Sequence, residues 1–313
     1  MARSRSHVNI RDVAAAAAVS TATVSNALNG TGRVSAATRD HVRRVAEALG
    51  YRVEHHRVLG MSATTFGSHP WNFAKIEFFA QSISAATAVA HEHGYALTVL
   101  PSALESAEWR SLQVDGVLLM DSPAGDPVAR TLRERGLPIA FDGRPAEVRP
   151  GEVWVDNDHA LASRTLLEHL AAQGADRVAL VACESGDHYN RAWIGAYRDW
   201  CAERGQPELL GEEIGSVLDS ADAVYATYDL GRALLDAARR RGRRVPEDLL
   251  VACVSEDPAY AATDPPVTTV SLLPRESVRL AVGALVGLVE HRFVEPAPPV
   301  PTRLTIRQST MRI

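Results

Sequence analysis

The chain is almost without lysine. Of its 33 basic residues only Lys75 is one, so nearly every fixed positive charge is an arginine. Cysteine is scarce too: Cys183, Cys201 and Cys253 are an odd set without paired metal-ligand spacing, and two of them lie in apolar strand-like runs. There cysteine behaves as a small hydrophobe, so free thiols are expected, with no metal site and no cofactor. No apolar run reaches membrane-spanning length, 280–289 being the longest candidate, and the N-terminus lacks a signal-peptide core. A cytoplasmic protein with no membrane partner is the expectation. A Gly-rich phosphate loop, a nucleophile elbow and metal spacing are all missing, which removes the usual sequence signs of catalysis. What is present is material for a core: 313 residues, 46% hydrophobic and 23% charged, enough for a small headpiece and a large cored body.

Charge is divided unevenly along the chain. Residues 1–57 hold Arg3, Arg5, Arg11, Arg33, Arg39, Arg43, Arg44, Arg52 and Arg57 against Asp12, Asp40, Glu47 and Glu54, a net of +5. The total is −5, which leaves −10 for the remainder. A basic end on an acidic body directs electrostatic attraction for phosphate to one place.

The basic end has a helical pattern. Ile10, Val13, Ala14 and Ala17 fall on one face of a first helix, and Val19, Val24 and Leu28 supply the opposing apolar side of a second. The alanines from Ala14 to Ala18 let the two approach closely, and Ser20 stands where an N-cap would start the second helix. Its first turns carry short polar side chains that leave room for a groove wall. Ser35 opens a third helix with Val42, Val45, Ala46 and Leu49 as its stripe and Gly50 as its stop. An alanine-rich pair alone is equally well ordinary core packing; the coincidence with the basic charge favours a DNA-reading helix-turn-helix.

The pattern Ile10-x-Asp12-Val13-Ala14, Val19-Ser20-x-x-Thr23-Val24-Ser25-x-x-Leu28-Asn29, Arg33-Val34-Ser35 and Leu49-Gly50-Tyr51 closely resembles the headpiece signature of the LacI/GalR family of bacterial transcriptional regulators. That resemblance implies an all-α helix-turn-helix headpiece at 1–51 and a linker at 52–57. It also implies a two-lobed α/β core with parallel sheets at 58–313, like periplasmic binding proteins. The lobes are expected at about 58–155 with 270–291, and 156–269 with 292–313. It implies phosphate anchoring by Ser20, Thr23, Ser25 and Asn29, and base reading by Thr21, Ala22 and Asn26. Asn26 stands where many relatives carry arginine, and asparagine suits adenine, so the operator is expected to favour A·T at that step.

From residue 58 the pattern alternates. Strands are expected at 58–64, 95–100, 114–120, a segment ending at Phe141, 153–155, 178–183, 223–226 and 249–254. Helices are expected at 74–93, 126–135, 158–172, 193–203, 230–241 and 275–291. Strands separated by helices argue for parallel sheets covered on both faces, with ligands beyond the carboxyl ends of the strands. The resemblance places Trp71 and Phe73 in an aromatic segment lining the effector pocket, although simple lobe packing accounts for them equally well. The loop Ser185 to Arg191 is similar to one that contributes an effector-binding arginine, but the family position falls nearer Trp193, so Arg191 takes that role only through a register shift and is equally well an ordinary surface arginine. The family's Asn-Asp pair is here Tyr228-Asp229, and its paired aspartates are Ser255 and Glu256. These changes imply a different small-molecule effector, of sugar or nucleoside class, or none.

The linker is the sharpest departure. Relatives place roughly a dozen more residues here, including a hinge helix that enters the minor groove. Six residues span at most about 20 Å, so DNA is expected to be held mainly by paired recognition helices, with a shortened hinge at 53–58 as the alternative. One recognition helix buries too little specific surface, so a homodimer on a double-stranded, near-palindromic operator is expected. The helices at 74–93 and 275–291 are interface candidates, yet Ile76, Phe79, Ile83, Leu280, Leu285 and Val289 could equally be intralobe core. Two other readings stand beside the effector-controlled repressor. One is a ligand-insensitive dimer whose core serves assembly. The other is an enzyme using Asp115, Asp121, Asp142, Asp156, Asp158, His159 or His188 for acid-base chemistry.

Overall fold

Two compact units, Met1–His56 and Arg57–Ile313, make up the computed structural model, which describes residues 8–28, 34–51, 57–63, 76–100, 106–185 and 187–312. In the first, three helices form where the caps and stripes dictate. Helix α1, Ile10–Ala17, starts with a capping box at Asn9: Asn9 Oδ1 accepts from Arg11 N at 2.9 Å and Asn9 N donates to Asp12 at 2.8 Å. It ends as Ala18 turns left-handed at φ +54°. Helix α2, Thr21–Leu28, is capped by Ser20, whose Oγ accepts from Thr23 N at 3.1 Å. Helix α3, Ala36–Ala48, is capped by Ser35, which accepts from Thr38 N at 3.1 Å. Gly50 at φ +66° closes it, with Tyr51 N bonded back to Ala46 O. Val13, Ala14, Ala17, Val24, Ala27, Val42 and Ala46 are the core, and Ile10, Val19, Leu28 and Val45 pack around it. Leu49, expected on the buried stripe, is 38% exposed at the C-cap. Asn29 and the linker residues 52–56 lie outside the described residues, and with them the test of a shortened hinge.

The second unit holds two sheets. Strands β1 (Val58–Ala63), β2 (Ala96–Val99), β3 (Gly116–Met120), β4 (Ile139–Asp142) and β5 (Val153–Val155) pair in parallel in the order β2-β1-β3-β4-β5. Strands β6 (Val178–Val181), β7 (Leu209–Gly211), β8 (Ala223–Ala226), β9 (Leu250–Val254), β10 (Thr268–Ser271) and β11 (Arg303–Thr305) follow the order β11-β10-β9-β8-β6-β7. The expectation of parallel pairing holds except at the edge, where β11 runs antiparallel to β10.

Helices α4 (Glu77–Glu92), α5 (Ser106–Ser111) and α6 (Pro127–Arg135) belong to the first sheet's half. Helices α7 (His159–Ala172), α8 (His188–Arg204), α9 (Ile214–Val217) and α10 (Gly231–Arg240) belong to the second. The last helix, α11 (Pro274–Val289), returns to the first sheet: Val278, Val282, Leu285 and Val289 share a core with Leu59, Met61 and Leu118. Phe79, Leu285 and Val289 are therefore intralobe core, as is the partly buried pair Ile76 and Ile83, whereas Leu280 is 37% exposed. The chain crosses between lobes three times, near 156–158, 272–273 and 300–302. Because β10 lies wholly in the second sheet, the second crossing comes after Ser271 rather than at 270. Asn157 ties the three crossings together, its Nδ2 donating to Leu272 O at 2.9 Å and Val300 O at 3.1 Å.

Gly116 sets how closely α11 approaches β3. A Cβ there would lie 2.8 Å from Val289 Cγ2 and 2.9 Å from Leu285 Cδ1, both on fully packed side chains. Gly116→Ala is expected to destabilise the core by about 1–3 kcal/mol, read as a lower urea midpoint with unchanged slope. An unchanged midpoint would mean that α11 yields without cost.

Candidate functional site

The headpiece offers one candidate surface. Ser20, Thr21 and Ala22 are exposed at the start of α2, while Thr23, Ser25 and Asn26 are half-buried beside them. Ser20 Oγ and Thr23 Oγ1 are 2.8 Å apart, which fixes both hydroxyls on the first turn, where the helix N-terminus favours an anion.

The second candidate is a cavity of about 540 Å³ within the core unit. It opens where parallel strands end. Asp121 follows β3, Asp142 ends β4, Asp156 and Asn157 follow β5, Tyr228 and Asp229 follow β8, and Ser255 and Glu256 follow β9; all line it. Ile76 to Phe79 at the start of α4 close another side. Tyr228, Asp229, Ser255 and Glu256 are thus brought together as expected, while Trp71 and Phe73 lie outside the described residues.

Arg191 requires a correction. The segment 188–192, read as loop, is the beginning of α8: Asp187 caps it by accepting from Asn190 N at 2.8 Å, so the helix starts five residues before 193. On that helix Arg191 is exposed and absent from the described cavity lining, and Trp193 is fully buried; Asn190 is the residue turned inward. Asn190 Nδ2 donates to Ser185 Oγ at 2.8 Å and to Asp187, and its Oδ1 accepts from Tyr228 OH at 2.7 Å. The Tyr228 phenol, where the resemblance implies an amide, is therefore held by Asn190.

Other carboxylates of the cavity are committed as well. Glu256 accepts from Ser271 Oγ and Leu272 N, both at 2.6 Å, yet burial outweighs these bonds and pushes its carboxyl up. Asp229 accepts from the buried Tyr260 hydroxyl. Asp142 has one oxygen on Ser277 Oγ of α11 and the other, Oδ2, buried with no partner among the described residues. Burial, opposed by the Ser277 bond and assisted by the charge of Asp156, pushes the Asp142 carboxyl up to about 7. Burial also works against ionisation of Asp156, but His159 at 2.8 Å, Arg144 N at 3.0 Å and His188 at 3.6 Å together hold it below the usual range. His159 and His188 begin helices of the second lobe, so this cluster links the two lobes directly. Of the residues weighed for acid-base chemistry, Asp115 binds Val58 N and Asp158 caps α7, both outside the described lining.

Comparison with known proteins gives these two sites a context. Residues 9–53 match the family described as bacterial regulatory proteins, lacI family, and residues 167–310 match the periplasmic binding protein-like domain. The chain is 31% identical over 335 residues to the HTH-type transcriptional regulator CelR of Thermobifida fusca, covering 95% of this chain and 96% of that one. The chain belongs to the LacI family of bacterial regulatory proteins. As a LacI-family member it is a DNA-binding transcriptional regulator. The HTH-type transcriptional repressor CytR of Escherichia coli (strain K12) is 28% identical over 318 residues, 91% of each chain. Among solved structures, a CelR-cellobiose complex superposes with a TM-score of 0.73 at 26% identity, over 96% of this chain and 99% of that one. A lac repressor dimer bound to operator and an anti-inducer matches in fold, with a TM-score of 0.68 at 19% identity over 98% and 100% of the chains. Among the described residues no helix is long and apolar enough to cross a membrane.

Proposed function

We propose that this LacI-family chain represses transcription from the cytoplasm as a homodimer, occupying a near-palindromic operator through paired α2 helices, and that a sugar-class effector in the interlobe cavity controls that occupancy. The observation that carries the reading is the cavity itself: about 540 Å³, at the carboxyl ends of two sheets, in a chain whose other unit is a helix-turn-helix. The cellobiose complex of the relative CelR supports the carbohydrate class. Thr21, Ala22 and Asn26 read bases, and Ser20, Thr23, Ser25 and Asn29 anchor phosphates. Tyr228, Asp229, Ser255 and Glu256 contact the effector, joined by Asp142, Asn157 and Asn190. The chain is a regulator and not an enzyme: Asp156 is paired with both His159 and His188, which begin helices of the second lobe.

Coupling follows from the crossings. An effector that bonds both rims favours one lobe arrangement over another, and such differential binding is typically worth about 1–3 kcal/mol between sites. Fluorescence anisotropy on the operator, with and without candidate sugars, tests this reading; occupancy that no sugar alters would oppose effector control. Asn26→Ala is expected to weaken operator binding about tenfold and to erase the A·T preference at its step, a loss within the 1–3 kcal/mol of one base contact. Unchanged base preference in a substituted-operator series would remove Asn26 from base reading.

A further inference from the structure

Most of the cavity's side-chain donors are engaged inside the protein, the exception being the buried Thr227 hydroxyl, which has no hydrogen bond among the described residues. Asn157 Nδ2 is held by Leu272 O and Val300 O, Asn190 Nδ2 by Ser185 and Asp187, the Tyr228 hydroxyl by Asn190 Oδ1, and the Tyr189 hydroxyl by Thr227 O. Acceptors remain. Glu77, Asp121, Asp142, Asp156, Asp229 and Glu256 all line the cavity, and no arginine or lysine does so among the described residues.

Two deeply buried lining residues point to a missing partner. Asp142 and His159 are each 5% exposed, and Asp142 Oδ2 and His159 Nδ1 have no hydrogen bond among the described residues. His159 Nε2 lies 2.8 Å from the ionised Asp156. When Asp142 is ionised its Oδ2 is an acceptor that lacks a donor.

A neutral sugar presents oxygens that need donors as well as hydroxyls that need acceptors, and side-chain donors here are few beside six carboxylates. A phosphorylated sugar would bring negative charge into a carboxylate-lined cavity. An ammonium group brings donors only, together with the charge that this lining lacks. Phe78, Tyr189 and Tyr228 add aromatic surface suited to the C–H face of a sugar ring and to a nearby cation. We propose that the effector is an aminated carbohydrate whose ammonium group is received by Asp142 and the carboxylates around it. This inference rests on the cavity being the effector site.

The test compares three disaccharides of one skeleton by calorimetry on the full chain: β-1,4-linked diglucosamine, its N,N'-diacetylated form, and cellobiose. The diamine is expected to bind at least tenfold more tightly than either neutral sugar, and Asp142→Asn should reduce that preference to less than threefold without unfolding the core. Glu77→Gln provides a second, partly exposed position at which the preference should fall. Equal or tighter binding of cellobiose would overturn the ammonium inference while leaving a sugar site in place. Equal binding of the diacetyl form would overturn it too, and 1,4-diaminobutane binding as tightly as the diamine would overturn the carbohydrate part. Binding of none of these, with operator binding intact, would remove the effector reading as well.

Discussion

Thr21→Asp is expected to lower operator affinity at least a hundredfold while leaving the headpiece folded. Thr21 is the first residue of α2 and is exposed, so nothing in the headpiece core depends on it. An aspartate in a helix's first turn favours the helix, by about 0.3–1 kcal/mol. Against DNA the same carboxylate replaces a short hydroxyl that fits beside base edges and phosphates with a charge that both repel. A hundredfold loss is about 3 kcal/mol, roughly one base contact plus the repulsion. Anisotropy titration paired with a thermal melt separates the two effects. A loss of less than threefold, with the melt unchanged, would place α2's first turn outside the groove.

Asp142→Asn is expected to remove much of the pH dependence of core stability between pH 5 and pH 8. The carboxyl ordinarily titrates near 3.8, and burial pushes it up to about 7 in the folded chain. A raised carboxyl contributes stability that is complete below its unfolded value and lost as pH rises through its folded one. Above pH 7 the folded chain holds a buried carboxylate whose Oδ2 has no partner among the described residues, beside the ionised Asp156. A shift of this size corresponds to on the order of 4 kcal/mol between the two charge states. Asparagine keeps the acceptor for Ser277 and carries no charge, so the variant should be more stable than the parent at pH 8, with the gap narrowing toward pH 5. Urea unfolding of both chains at pH 5, 6.5 and 8 measures this; a gap independent of pH would mean that Asp142 stays neutral or stays solvated throughout.

The parts legible in the sequence are those governed by local chemistry. Ser20 and Ser35 stand as caps because a side-chain oxygen before an apolar period has one obvious use, and each caps its helix in the structure. The strands of the first sheet, and β6, β8 and β9 of the second, follow from short apolar runs between helical periods, whereas β10 did not stand out. The start of α8 was not legible in this way, because its cap Asp187 is identified only by the buried network with Ser185 and Asn190, and that error carried Arg191 into the pocket. The short edge strands β7 and β11 have three residues each, too few for a period. Least legible was Asn157, whose amide joins segments 115 and 143 residues away. The cavity's acidity was visible as five separate aspartates near strand ends and acquires meaning only when the sheets bring Asp121, Asp142 and Asp156 to one rim.

Selection of genomic fragments by the purified full-length chain, at physiological salt and with random competitor DNA, tests the central claim most directly. An operator-binding dimer should enrich a small set of sites with two-fold symmetric halves about one helical turn, or roughly 34–36 Å, apart. Recovery of fragments with no shared sequence, or of none above competitor, would contradict it.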